Sequence, residues 1–149
     1  MIPWAQPNID NKELNAVKKV FRSDKFTMGK NVELFEKKMS KYCESKFALA
    51  VSNGTVALHL AIVALDIGEG DEVIVPNQTH VSTVHACEIL GAKPIFIDSD
   101  DETGNINVNK IENKITKKTK VITIVHFLGK PVEMNKILKI KKKYNLFLI

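Results

Sequence analysis

The chain has little of several things that would narrow its class at once. Among its 149 residues there are two cysteines, Cys43 and Cys87, so no disulfide framework carries the fold. Each falls in an expected helix, and both are read as free, buried thiols. No apolar run approaches the roughly 20 residues that a membrane-spanning helix needs. The opening stretch, Met1 to Pro7, lacks the basic head and apolar core of a secretion signal. A cytoplasmic location without a membrane partner is the expectation. Arginine occurs once, at Arg22, and no aromatic residues are interleaved with the lysines as on a base-stacking platform. The formal charge of +5 therefore does not argue for nucleic acid. Its excess sits in groups such as Lys18-Lys19, Lys37-Lys38, the run Lys139 to Lys143, and Lys114, Lys117, Lys118 and Lys120, which read as solvated surface. Repeats, linkers and low-complexity segments are missing, as are a P-loop, a nucleophile elbow and a serine–histidine–acid set.

What is present is an alternation of two hydrophobic periods. Asp10-Asn11-Lys12-Glu13 reads as a capping box, and Leu14, Val17, Val20 and Phe21 then mark one helix face. A second amphipathic helix is predicted from about Val32 to Tyr42. Phe47 to Val51 then reads as a short apolar strand, followed by a turn and a helix from Thr55 to Leu65. The unit recurs. Strands are expected at Glu72–Val75, Pro94–Asp98 and Val121–Val125, with another starting at Leu146. Helices are expected at Val81–Leu90, Asn109–Ile115 and Met134–Tyr144. Strands apolar on both faces and separated by helices give an α/β class with a mostly parallel sheet between helical layers. Four apolar residues at the end, Leu146 to Ile149, read as the start of a central strand. The expectation is therefore that the chain is truncated.

Ligands of open α/β sheets gather beyond the carboxyl ends of the strands. At the first such end, Ser52-Asn53-Gly54-Thr55-Val56 passes through a glycine turn into a helix. Gly54 permits a close backbone approach, and unpaired amides with the Thr55 hydroxyl suit an anion such as phosphate. An ordinary capped helix start has the same composition, and on spacing alone that reading is favoured. At the second, His80 could face a planar ligand or act as a base. His85 points elsewhere, so no metal pair is expected. At the third, His126, Gly129 and Lys130 meet with the same ambiguity. His59 lies in an apolar helix and reads as structural. Asp98, Asp100, Asp101 and Glu102 lack calcium-loop spacing and read as a solvated turn; no metal is expected.

Taken together and in order, several segments resemble the DegT/DnrJ/EryC1/StrS family of pyridoxal-phosphate (PLP) enzymes acting on nucleotide-linked sugars. They are Ser23 to Lys30, Phe35-Glu36, Ala50 to Leu60, Gly68 to Pro76, Gly91 to Asp98, Thr116 to Lys120 and Val125 to Gly129. The resemblance implies an aspartate-aminotransferase-like fold, with residues 1–149 as the N-terminal part of the cofactor-binding large domain. The rest of that domain and a small C-terminal domain would lie outside the chain. It further implies a homodimer at full length. The substrates would be a nucleotide-sugar and an amino donor, glutamate or glutamine, in the making of amino sugars for surface polysaccharides. Asn53, Gly54, Thr55 and Val56 would hold the cofactor phosphate, and His80 would face the pyridine ring where the family usually carries an aromatic. Phe127-Leu128-Gly129-Lys130 departs from the family's usual Leu-Tyr-Gly-Gln. No catalytic residue is expected within the chain. The family's ring-binding aspartate and Schiff-base lysine fall past the strand matching Leu146–Ile149, and Lys30, Lys93 and Lys130 match neither. The isolated chain is thus expected to be inactive. A PLP-dependent sugar dehydratase and a non-catalytic binding remnant are the alternatives.

Overall fold

The computed structural model describes residues 6–149, and the chain divides into two compact units, Met1–Ala50 and Val51–Ile149. In the first, α1 (Asn11–Phe21) and α2 (Lys30–Tyr42) bear out the two helices expected there. The capping box at α1 is formed: the Lys12 amide donates to the Asp10 carboxylate at 2.6 Å, and the Asp10 amide donates to Glu13 at 2.8 Å. Neither helix buries a residue, and Leu14, Val17 and Phe21 on the apolar face of α1 are exposed. The expected strand at Phe47–Val51 does not form. A strand is stabilised by its ladder, and among the described residues this segment has no strand partner; the Ala50 amide instead donates to the Glu36 carboxylate at 2.9 Å.

The second unit holds the sheet: β1 (Glu72–Pro76), β2 (Lys93–Ile97), β3 (Thr119–Ile122) and β4 (Phe147–Leu148), in the order β2-β1-β3-β4, every pair parallel. The side-chain period of two sorts its core. On one face Ile74, Ile97 and Ile122 pack with Ile106, Val108 and Ile111 of the β2–β3 crossover and with Ile137 and Ile140 of α5 (Met134–Tyr144). On the other, Val73, Val75 and Val121 meet Ile62 of α3 (Gly54–Ala64) and Ala86 and Cys87 of α4 (Ser82–Glu88). Cys87 is thus the buried thiol expected, and desolvation pushes its pKa up, which makes it a poor nucleophile. Cys43 is exposed, contrary to expectation, because it caps the end of α2 instead of lying on a buried face. The helix expected at Asn109–Ile115 is instead two 3₁₀ turns, Val108–Lys110 and Glu112–Lys114. The segment caps itself through the Asn107 side chain, which accepts from the Asn109 amide at 3.2 Å, and a short connector of this kind favours 3₁₀ geometry.

At the amino-terminal edge of the sheet, the buried Glu72 carboxylate accepts from the Thr116 and Thr119 hydroxyls at 2.5 and 3.2 Å. These bonds satisfy a group that could not otherwise be buried there.

The α5 helix separates core from surface along one element. Ile137→Ala, at a fully buried position, is expected to cost about 2–5 kcal/mol of unfolding free energy in urea titration. Leu138→Ala, half exposed next door, should stay within about 0.5 kcal/mol.

Candidate functional site

A parallel sheet sends every strand exit to one edge. The exits of β1 and β3 carry His80 and the His126 turn, while among the described residues the Asn53–Val56 turn follows no strand and is the start of α3. The α3 helix precedes β1, and the loop between them is short. The eleven residues of α3 rise about 16 Å, which carries its first turn back toward the edge where β1 ends. Asn53 caps α3: its side-chain oxygen accepts from the Val56 amide at 3.0 Å, and its carbonyl accepts from Ala57 at 3.1 Å. That leaves Gly54 and Thr55. Among the described residues neither amide donates to a protein acceptor, and both residues are exposed. A Cβ built on Gly54 would meet nothing within 4 Å. The helix start is therefore an open, positively polarised pair of amides beside the Thr55 hydroxyl, with the chemistry that holds a phosphate. The Val56 amide is spoken for by Asn53.

His80 lies in the loop Asn77–Val81 between β1 and α4, exposed at the same edge. The Ser82 amide donates to its Nδ1 at 3.2 Å, and the Ser82 hydroxyl is 2.8 Å from the same nitrogen. Accepting through Nδ1 puts the proton of the neutral ring on Nε2, which faces away from Ser82. The ring is oriented through Nδ1, and among the described residues Nε2 has no partner. Because α3 and α4 cover the same face of the sheet, the structure places the Gly54–Thr55 turn and His80 at the starts of two neighbouring helices.

The exit of β3 is built differently. His126 is exposed and its Nδ1 accepts from the Val132 amide at 3.2 Å; Leu128 and Gly129 both take positive φ, so the chain turns sharply there. Lys130 is at the surface. His85 is exposed on the outer side of α4, as expected. His59 is half-buried in α3 with an unpaired Nδ1. The acidic run is a surface turn: the Lys110 ammonium, 2.7 Å from Asp98, holds that carboxyl below its ordinary value, and the Thr103 hydroxyl does the same for Asp100. Three residues escaped the sequence reading: Asn77, Ser99 and Asn105. The Ser99 hydroxyl donates to the Asn77 side chain at 2.8 Å, and buried Asn105 bonds the turn after β3. The only sequence signal was the turn pair Gly104-Asn105 following an acidic run.

This is a parallel α/β domain with an open helix start and a hydrogen-bonded histidine at the edge where its strands end. A family model described as the DegT/DnrJ/EryC1/StrS aminotransferase family matches residues 7–149, and the chain belongs to that family. It is 46% identical to the GDP-perosamine synthase of Escherichia coli O157:H7 over 149 residues, covering 99% of this chain and 41% of that protein. An aminotransferase from Psychrobacter cryohalolentis has the same fold, with a TM-score of 0.91 at 38% identity over 98% of this chain and 38% of that one. A GDP-4-keto-6-deoxy-D-mannose-3-dehydratase from E coli, solved with hydrated PLP bound, matches with a TM-score of 0.91 at 34% identity, covering 98% of this chain and 39% of that one. The chain thus spans about two fifths of the proteins it matches. The type of fold expected from the sequence is borne out.

Asn53 is a helix cap whether or not a ligand binds. Asn53→Ala should lower stability by about 1 kcal/mol in chemical denaturation, and Asn53→Gly by only a few tenths.

Proposed function

We propose that the full-length protein is a PLP-dependent aminotransferase acting on a nucleotide-linked keto-sugar. The amino donor is glutamate or glutamine. Residues 1–149 form the N-terminal part of the cofactor-binding large domain of a cytoplasmic homodimer. The observation that carries this reading is the open helix start: among the described residues the Gly54 and Thr55 amides have no protein acceptor, both residues are exposed beside a hydroxyl, and a Cβ on Gly54 would meet nothing within 4 Å. Membership in a family of aminotransferases and a structural neighbour that binds PLP support it.

The residues fit the cofactor. Its phosphate dianion suits the Gly54–Thr55 amides and the Thr55 hydroxyl, with Asn53 and Val56 shaping the turn. His80 presents its ring where a planar heterocycle can lie against it, its orientation held by Ser82. PLP, once bound, supplies the electron sink that makes a carbanion accessible at the amine-bearing carbon. What this stretch contributes is grip and orientation; proton movement is assigned to groups beyond residue 149. On that reading the 149 residues by themselves do not transaminate, and turnover by the isolated chain would overturn that part.

The second reading, a sugar dehydratase using the same cofactor, is favoured by the likeness to the E coli dehydratase. The mass of the sugar product separates the two. With GDP-4-keto-6-deoxymannose and glutamate, an aminotransferase adds nitrogen to the sugar, whereas a dehydratase removes an oxygen without adding nitrogen.

The direct test is titration of the full-length protein with PLP. Saturable binding is expected, and Thr55→Val should weaken it by about tenfold, the scale of one hydrogen bond to a charged group. Absence of saturable PLP binding by the wild-type protein would remove the proposal.

A further inference from the structure

The three strand exits are not independent loops. β2 stands at the edge of the sheet beside β1, yet the chain leaving it reaches the loops after both β1 and β3. Past Ile97 it makes a tight hairpin: Ser99 bridges Ile106, the Asp100 amide donates to the Asn105 carbonyl at 2.8 Å, and Gly104 turns with φ +70°. On its near side this hairpin holds the loop after β1. The Asn77 amide donates to the Ile97 carbonyl at 3.0 Å, and the Ser99 hydroxyl donates to the Asn77 side-chain oxygen at 2.8 Å. On its far side it holds the turn after β3. The Asn105 side-chain oxygen accepts from the Phe127 amide at 2.9 Å, and its amide group donates to the Lys130 and Pro131 carbonyls at 3.0 and 3.4 Å.

All three loops converge at Gly104. A Cβ there would lie 2.7 Å from the Phe127 ring and 3.6 Å from the Gln78 side-chain oxygen. No side chain larger than hydrogen fits without moving the ring, and the positive φ strains one independently. Asn105 is 5% exposed, and every polar atom of its side chain is used. A buried amide that spends all its bonds on the backbone of another loop fixes that loop's position.

The geometry points to Ser99, Gly104 and Asn105 as positioning residues: a clasp that holds the His80 loop and the His126 turn in fixed register across the end of β1. This rests on the PLP reading, because His80 is the group assigned to the cofactor ring. None of the three touches the ring. They act through Asn77 and Gln78, which precede His80, and through Phe127, which follows His126. The phosphate is held separately, by the start of α3. Loosening the clasp therefore disturbs the ring and leaves the phosphate grip alone.

That separation defines the test, made on the full-length protein with two probes, PLP and inorganic phosphate as its competitor. Asn105→Leu should weaken PLP by about tenfold, as expected for one lost well-placed contact. It should also reduce the circular dichroism induced in the bound chromophore, with the competition constant of phosphate unchanged. Ser99→Ala should shift PLP in the same direction by less, and it decides the matter if Asn105→Leu does not fold. Val108→Ala, a core truncation on the same segment, is the stability control and should leave the induced dichroism intact. If Asn105→Leu or Ser99→Ala binds PLP with wild-type affinity and dichroism, the clasp is wrong while the cofactor assignment stands. If PLP and phosphate weaken together, and Val108→Ala does the same, the effect is general loosening and the clasp is again wrong. If the wild-type protein binds no PLP, the cofactor assignment falls and the clasp with it.

Discussion

Parallel pairing of β1 with both β2 and β3 is the constraint on which the rest of this structure depends. Because β3 lies on the far side of β1 from β2, the chain between them must cross the face of β1. That crossing supplies Ile106, Val108 and Ile111, which close one face of the core under α5. It also sets the hairpin Ser99–Ile106 above the end of β1, where it reaches the loops on both sides. One topological fact thus yields a buried layer at one level and a braced edge of strand exits at another. An antiparallel hairpin at the same place would have needed a turn of a few residues and would have braced nothing.

Electrostatics at that edge comes from the backbone more than from side chains. Residues 107–149 hold eleven lysines against two glutamates, so the charge of the chain is lopsided, yet much of that excess lies away from the candidate site. Lys117 and Lys120 flank the start of β3 and line the same groove as Tyr144 and Asn145 at the end of α5, on the opposite edge of the sheet. Lys143 spends its charge on Glu112 at 2.6 Å, and Lys110 on Asp98. The anion proposed for the start of α3 would be met by oriented amides, which need no reorganisation.

How far the sequence carries the fold can be seen element by element. Strands such as Val73-Ile74-Val75 were legible because burial on both faces leaves a continuous apolar run, and α5 was legible to its end residues because its stripe is regular. Phe47–Ala50 has the same apolar composition and is no strand, since composition records a preference for burial and not the presence of a partner ladder. The short helix read at Asn109–Ile115 failed for a related reason: two polar turns closed by Asn107 compete with a helix too short to nucleate. At the site, Asn53, Gly54 and Thr55 were legible because capping is local in sequence. Asn105 was not. Its partners lie 22 to 26 residues away, and nothing in a single asparagine announces bonds of that range.

The histidine at position 80 gains its meaning from that long-range bracing. An imidazole offers a smaller face than a phenyl or indole ring, so as the platform proposed for the cofactor ring it would depend on being held at the right angle. Two independent restraints do this. Ser82 fixes the ring about its own bonds through Nδ1, and the Asn77–Ile97 and Asn77–Ser99 bonds fix the backbone that carries it. The first is local and belongs to α4; the second comes from another strand. A large aromatic ring tolerates a loose mounting because its face is wide. A histidine mounted at both side chain and backbone would gain its definition from rigidity, which places the demand on Ser82, Asn77 and Ser99 rather than on the ring itself.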